Sequence, residues 1–257
     1  MKKLNLLLFI LIGITNLSCS SDENNVTENQ TPEESTKLLK KMTISGNVNY
    51  SLTFFYNDNE KLDRIESSNT GDDFIKKFYY DNGVLDKAEF QDLSGVADGS
   101  IEQYIYDNGT LIERQDFYNT STLDERYIYS FNNNNNIENI QYIGNGQTSY
   151  SEEYIFEYDS NNNVISRKHD YLNTAFSDQE LTFTYDTKKS PFLNLEPNII
   201  LIDDFFSFVN NPTSKITTDL STNSIVSEKN YTYTYDGDDY ATSRTDGTET
   251  ITYEYYE

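Results

Sequence analysis

The chain has 257 residues, with 43 acidic and 19 basic side chains and a formal net charge of −24. A surface this acidic repels nucleic acid and anionic lipid headgroups, so neither is an expected partner of the folded body. One histidine, one cysteine and no tryptophan leave little material for nucleophilic catalysis or a zinc site.

Residues 1–18 read as a signal peptide. Lys2 and Lys3 form its basic end, and the apolar run from Leu4 to Ile14, broken by Asn5 and Gly13, is too short to span a bilayer. Leu17-Ser18-Cys19 follows and resembles a bacterial lipobox, with Asn16 where leucine is more usual. The resemblance implies cleavage before Cys19 and acylation of its thiol and new amino group, which makes Cys19 the expected lipid attachment. A lone thiol on a secreted chain is otherwise a liability. The next residues, Ser20-Ser21-Asp22-Glu23-Asn24-Asn25, resemble the acidic export tag of Bacteroidota-type lipoproteins, which implies the outer membrane and the cell surface. Residues 19–40, rich in Ser, Asn, Glu and Thr, read as a disordered tether. Lys37 to Met42 is either a short helical turn or the lead into the first strand, and the folded body is expected over 41–257.

The body is organised around Tyr104-Ile105-Tyr106-Asp107-Asn108-Gly109-Thr110-Leu111-Ile112-Glu113-Arg114. Tyr104 and Tyr106 share one face of a strand, and Asp-Asn-Gly followed by an apolar residue predicts a hairpin turn. The aromatic pair recurs as Phe54/Tyr56, Phe78/Tyr80, Tyr129/Phe131, Phe156/Tyr158, Phe183/Tyr185, Tyr233/Tyr235 and Tyr253/Tyr255. Turn residues follow most pairs, and Leu62, Leu85, Leu111, Ile137 and Val164 open the return strands. A basic residue often stands a little further on, at Arg64, Lys87, Arg114, Arg167 and Arg244. Copies about 25 residues apart signal an internal repeat array. Tyrosine outnumbers phenylalanine 22 to 15, which suits a half-covered face where rings are buried and hydroxyls stay near water.

Between Tyr185 and Tyr235 one copy reads as missing or replaced. Residues 187–214 form an insert: Lys188-Lys189-Ser190-Pro191-Phe192, a second break at Pro197, then an apolar run from Asn198 to Val209 closed by Asn210-Asn211-Pro212. The run reads as a short helix packed on the sheet, with Asn198 as its cap, or as a buried strand. Its expected role is to cover part of one sheet face, and its seams are the expected place for a groove. Strands then resume over Lys215–Thr218, Ile225–Tyr235, Ala241–Thr245 and Thr250–Tyr256.

The repeated aromatic-x-Tyr-Asp-x-x-Gly/Asn-x-apolar pattern resembles YD (RHS-like) repeats, and with the lipobox the chain resembles a YD-repeat surface lipoprotein of Bacteroidota type. The resemblance implies an all-β fold: sequential antiparallel hairpins forming a long twisted meander, open or curled into a partial barrel or coil. It supplies no catalytic residue, and none is expected; no cofactor and no metal ligand is nominated either. His169 reads as a strand-surface residue. Asp159-Ser160-Asn161-Asn162-Asn163 carries oxygen-bearing side chains at alternate positions, as in calcium loops, and Asp236-Gly237-Asp238-Asp239 offers clustered carboxylates, but both read first as turn chemistry. The expected function is a lipid-anchored binding or scaffold module for a glycan or an envelope protein. The alternatives are a polymer-degrading enzyme with a carboxylate pair and a calcium-stabilised structural array.

Overall fold

A computed structural model describes residues 36–69, 73–172, 176–195 and 209–257. They form seventeen strands: β1 (Leu39–Ser45), β2 (Tyr50–Tyr56), β3 (Leu62–Asn69), β4 (Phe74–Asp81), β5 (Val84–Gln91), β6 (Ala97–Asp107), β7 (Thr110–Tyr118), β8 (Thr122–Phe131), β9 (Ile137–Ile143), β10 (Glu152–Tyr158), β11 (Val164–Tyr171), β12 (Gln179–Lys189), β13 (Asn210–Asp219), β14 (Ser224–Asn230), β15 (Thr232–Tyr235), β16 (Ala241–Thr245) and β17 (Thr250–Tyr255). All belong to one sheet, and no helix occurs among the described residues. The all-β hairpin expectation holds, and Lys37–Met42 resolves as the lead into β1.

The strands pair antiparallel with their chain neighbours, and β17 returns to pair with β1. β14 and β15 are two halves of one crossing strand: the first pairs with β13, the second with β16, and the Tyr231 amide between them donates to the Thr213 carbonyl at 2.9 Å. The result is a nearly closed, barrel-shaped sheet, which leaves little unpaired edge.

Each hairpin is built alike. In β2/β3, Tyr56 pairs with Leu62 and Phe54 with Ile65, so two aromatics of the outgoing strand face two residues of the return strand on the inner wall. A register shift precedes the second aromatic in β2/β3, β4/β5, β6/β7, β8/β9, β10/β11, β12/β13 and β15/β16, and β12/β13 has another after it. A bulge at the same place in every hairpin bends the strands in the same sense, and the repeated bend curls the sheet. The eighth hairpin is divided between the chain's two ends. Tyr255 of β17 pairs with Leu39 of β1, and Tyr253 with Met42, as Tyr56 does with Leu62 and Phe54 with Ile65.

No copy is missing after Tyr185. β12 and β13 form a hairpin of the regular kind, with Tyr185 opposite Pro212, and the residues between them replace its turn. Asp186 anchors the replacement by accepting from the Lys188 and Asn211 amides at 2.9 and 3.1 Å. Asn210, Asn211 and Pro212 therefore begin a strand rather than close a loop. Of the apolar run, 198–208 lies outside the described residues. Phe192 and Leu195, just before it, are buried in the core, where Phe192 meets the Tyr253 ring edge-on at 6.2 Å. This part of the insert covers the inner wall as expected.

The core consists of the inner-wall residues, among them Leu39, Phe54, Leu62, Phe78, Leu85, Leu111, Ile140, Phe156, Val164 and Ile251. The outer wall is polar: Lys87 pairs with Glu89, Arg126 with Glu113, and Arg64 lies 3.7 Å over the Phe55 ring. The basic residues read as one repeating position are in fact two. Arg114, Arg167 and Arg244 pair with inner-wall Tyr104, Phe156 and Tyr233, whereas Arg64 and Lys87 precede the equivalent Ile65 and Ala88 and point outward. Side chains alternate across a strand, so a one-residue offset moves a charge to the opposite wall.

Candidate functional site

The tyrosines of the repeat divide into two roles. In five pairs the second aromatic sends its hydroxyl back to the carbonyl that opens the preceding return strand: Tyr56 to Leu39, Tyr80 to Leu62, Tyr158 to Ile137, Tyr185 to Val164 and Tyr255 to Ala241, at 2.5 to 2.9 Å. In the Tyr233/Tyr235 pair the first aromatic does so instead, to Pro212 at 2.9 Å, and Tyr235 donates to Asp186. Each such bond stabilises by about 1 kcal/mol and stitches one repeat to the next. These hydroxyls serve the fold, contrary to the expectation that they stay near water. The first aromatic points deeper, and it is phenylalanine at 54, 78, 156 and 183.

Apart from Arg244 on β16 and Ser67 on β3, the main polar groups of the inner wall run across β4 to β11, away from the Tyr-Asp turns. Deepest is a charged cluster. Glu102 stands opposite Asp116, and Tyr104 opposite Arg114. Lys76 donates to Glu102 at 2.6 Å, with their side chains 7% and 10% exposed. Arg114 grips both Asp116 oxygens, at 2.9 and 2.8 Å, and its guanidinium lies 4.0 Å from the Tyr127 ring centroid. Tyr104 donates to the second Glu102 oxygen at 2.6 Å. Burial pushes the Glu102 carboxyl up, but Lys76 and Arg114 outweigh it and hold the group below its ordinary range. Burial pushes Asp116 up to about 6; Arg114 opposes the shift and Glu102 adds to it. The Tyr129 hydroxyl is buried near this cluster and has no hydrogen-bond partner among the described residues.

Toward the loop end of the barrel, the strand ends opposite the Tyr-Asp turns, these inner-wall polar groups form a half-exposed, aromatic ladder. Glu125 accepts from the hydroxyls of Tyr127 and Tyr142, both at 2.8 Å, and those two rings lie 5.3 Å apart. Next along, His169 is sandwiched between Tyr154 at 4.2 Å and Tyr171 at 3.9 Å, and its Nε2 lies 2.8 Å from Glu152. Tyr171 in turn packs on Phe176, which is 63% exposed. His169 is thus not a strand-surface residue. It pairs with Tyr154 on the inner wall, and its side chain is only 13% exposed. Burial lowers its imidazole pKa, against the pull of Glu152. A lone histidine in a polar strand gives no local sign of this; only the register Tyr154 to His169 does.

Cys19 lies outside the described residues. The acidic turns are occupied by their own chain. Asp159 accepts from the Asn161 and Asn163 amides at 2.8 and 2.9 Å. Asp236 accepts from the Asp238 and Tyr240 amides, at 2.9 and 3.0 Å. Lys37 reaches Asp236 and Asp238, both at 2.7 Å, and Lys188 reaches Asp239 at 2.6 Å. The expected turn chemistry is what these loops display.

Neither a family model nor a curated protein matches the chain. Solved structures do. A porin-like protein from Bacteroides uniformis ATCC 8492 is similar at 15% identity, over 85% of this chain and 98% of that one, with a TM-score of 0.55. A porin-like protein from Bacteroides vulgatus ATCC 8482 is similar at 12% identity, over 86% and 99%, with the same TM-score of 0.55. A chain of the TcdB2-TccC3-Cdc42 crystal structure aligns with 73% of this chain and 10% of its own length, at 14% identity and a TM-score of 0.34. The fold of this chain is that of the two porin-like proteins.

Proposed function

We propose that the protein is a lipid-anchored envelope protein of the bacterial outer membrane, displayed at the cell surface, and that it works as a binding module. The observation that carries the binding role is the half-exposed ladder of Tyr127, Tyr142, Tyr154, His169 and Tyr171, interleaved with Glu125 and Glu152. Aromatic faces beside fixed acceptors suit a glycan ring or an extended peptide of an envelope partner. The envelope address is supported by the lipobox-like Cys19 and by the Bacteroides origin of both porin-like neighbours.

A channel role does not follow from that likeness. A membrane-spanning barrel turns apolar residues outward and polar ones inward. Here the apolar residues fill the inner wall, and Arg64, Lys87, Glu89, Glu113 and Arg126 stand on the outer one. Such a barrel belongs in water, held to the membrane by its lipid. Nor does the Glu102/Asp116 pair favour hydrolysis, because each carboxylate already holds its own cation.

The test is a thermal-shift screen of the full-length lipoprotein in detergent micelles against glycans and envelope peptides, with Tyr142→Ala and Tyr171→Ala as controls. Selective ligand binding raises the melting temperature. A shift that both variants abolish supports the ladder as the contact surface; a shift that neither variant changes rejects it.

A further inference from the structure

The outer wall has a second feature, unrelated to the ladder. A depression of about 500 Å³ lies over β8, β9 and β10, and its lining includes Ile128 and Ile155, the amides Asn139 and Gln141, and the carboxylates Glu138 and Glu153. Gln141 stands opposite both Ile128 and Glu153, and Asn139 opposite Ile155, so these side chains share one face of the sheet. The Asn139 and Gln141 amides donate to a single Glu153 oxygen, Oε1, at 2.6 and 3.1 Å.

Those two bonds fix the chemistry of the cavity. An amide facing a carboxylate must turn its NH2 toward it, because its carbonyl would be repelled. Both amide oxygens are therefore left to face elsewhere, together with Glu153 Oε2 and the Glu138 carboxylate. The lining is rich in acceptors, carries negative charge and includes two isoleucine side chains. A ligand matching it is rich in donors and positively charged.

A neighbouring seam of the same wall serves as an internal control. Across β7/β8, Glu113 Oε1 also accepts from an amide, Gln115 Nε2 at 2.7 Å, and from a cation, Arg126 Nε at 2.6 Å. Lys87 meets Glu89, and Arg64 meets Glu66, in the same manner. At Glu153 a second amide, Asn139, stands where the other carboxylate has its cation, and among the described residues no basic side chain is ion-paired with it. Lys168, opposite Ile155 on β11, is the nearest cation by register.

We infer that this depression is a binding site for a primary ammonium or guanidinium group, whose charge does for Glu153 what Arg126 does for Glu113. Charge-assisted hydrogen bonds to a carboxylate and amide oxygens hold the group, and Ile128 and Ile155 cover its carbon stem. Two sources present this chemistry, an arginine-like or lysine-like side chain and an amino sugar, so the probes are arginine methyl ester and glucosamine, with glucose as the neutral control.

The experiment is calorimetric titration of the full-length protein at physiological ionic strength. Saturable binding of one or both cationic probes, and none of glucose, is expected. Glu153→Gln should weaken binding at least tenfold, whereas Glu157→Gln, which removes the same charge from the outer wall of β10 beyond the depression, should change it less than twofold. Asn139→Arg supplies an internal guanidinium and should abolish binding while leaving the circular dichroism spectrum intact, which keeps the test valid should Glu153→Gln misfold. The arginine ester binding more tightly than glucosamine assigns the site to a peptide-like ligand, and the reverse assigns it to an amino sugar. Equal losses in the Glu153 and Glu157 variants, binding that survives Asn139→Arg, equal binding of glucose, or no saturable binding of either cation overturns the site.

Discussion

The inner wall carries two polar regions that solve the same problem differently. The deep one, Lys76, Glu102, Arg114 and Asp116, buries charges and neutralises them in pairs. The one nearer the loop end, Glu125, Tyr142, Glu152 and His169, leaves its carboxylates partly exposed and satisfies them with tyrosine hydroxyls and an imidazole. Buried ion pairs add little net stability against an apolar alternative, yet breaking one is costly because the remaining charge is stranded. Hydroxyl-to-carboxylate bonds near water are weaker but replaceable, since solvent can take over. The deep region is therefore a point of rigidity, and the outer one is where a ligand can compete for partners.

The sharpest way to break this contrast is to remove one charge from each region. Arg114→Ala strands Asp116 and leaves Glu102 with Lys76 alone, so it should cost about 3–5 kcal/mol in denaturant unfolding. Glu152→Gln, at the half-exposed end, should cost only about 1 kcal/mol by the same measurement. Equal costs would erase the distinction.

The pH dependence separates the two regions by sign. Asp116 binds its proton more tightly in the folded chain, at about 6, than an unfolded aspartate at about 3.9. Its contribution to stability is full below about pH 4 and is lost as pH rises through about 6. The His169 imidazole is depressed in the folded chain, so its contribution is full above the ordinary value of 6.5 and is lost as pH falls through the depressed one. Unfolding free energies measured from pH 4 to 8 should lose the first slope in Asp116→Asn and the second in His169→Gln. The smallest effect expected is at Tyr129. Its buried hydroxyl has no partner among the described residues, so Tyr129→Phe should be neutral or slightly stabilising, whereas Tyr158→Phe should cost about 1 kcal/mol.

Much of the fold was legible because its signals are local. Asn82-Gly83 and Asn108-Gly109 adopt the positive φ values, 48° and 80° and 48° and 83°, that a two-residue hairpin turn needs. The aromatic pairs mark every outgoing strand that carries one, including β17. The bulge was not legible: it has no fixed residue type, being Asp63, Ile112 or Glu138 in different copies. Missing it merged Arg64 and Lys87 with Arg114 and Arg167, although the two sets face opposite walls. The candidate site was hidden for the same reason. Glu125, Tyr142, Glu152 and His169 are unremarkable in sequence and meet only through the registers of β8 to β11. The insert misled differently: a long apolar interruption resembles a lost repeat, while its strands on either side still pair as one hairpin.

The divided eighth hairpin sets an order of assembly. Strands β1 to β14 can add one after another as the chain emerges, and β15, the continuation of β14, then takes β16 as its partner, but β1 keeps one edge open until β17 arrives from more than two hundred residues away, as the Leu39–Tyr255 pairing requires. Contacts so distant along the chain form late, and an open edge is a template for any strand of the right pattern. A chain shortened before Thr250 would carry that edge permanently. Its most suitable partner would then be β17 of an intact second molecule, so one truncated copy can divert a whole one into an exchanged dimer.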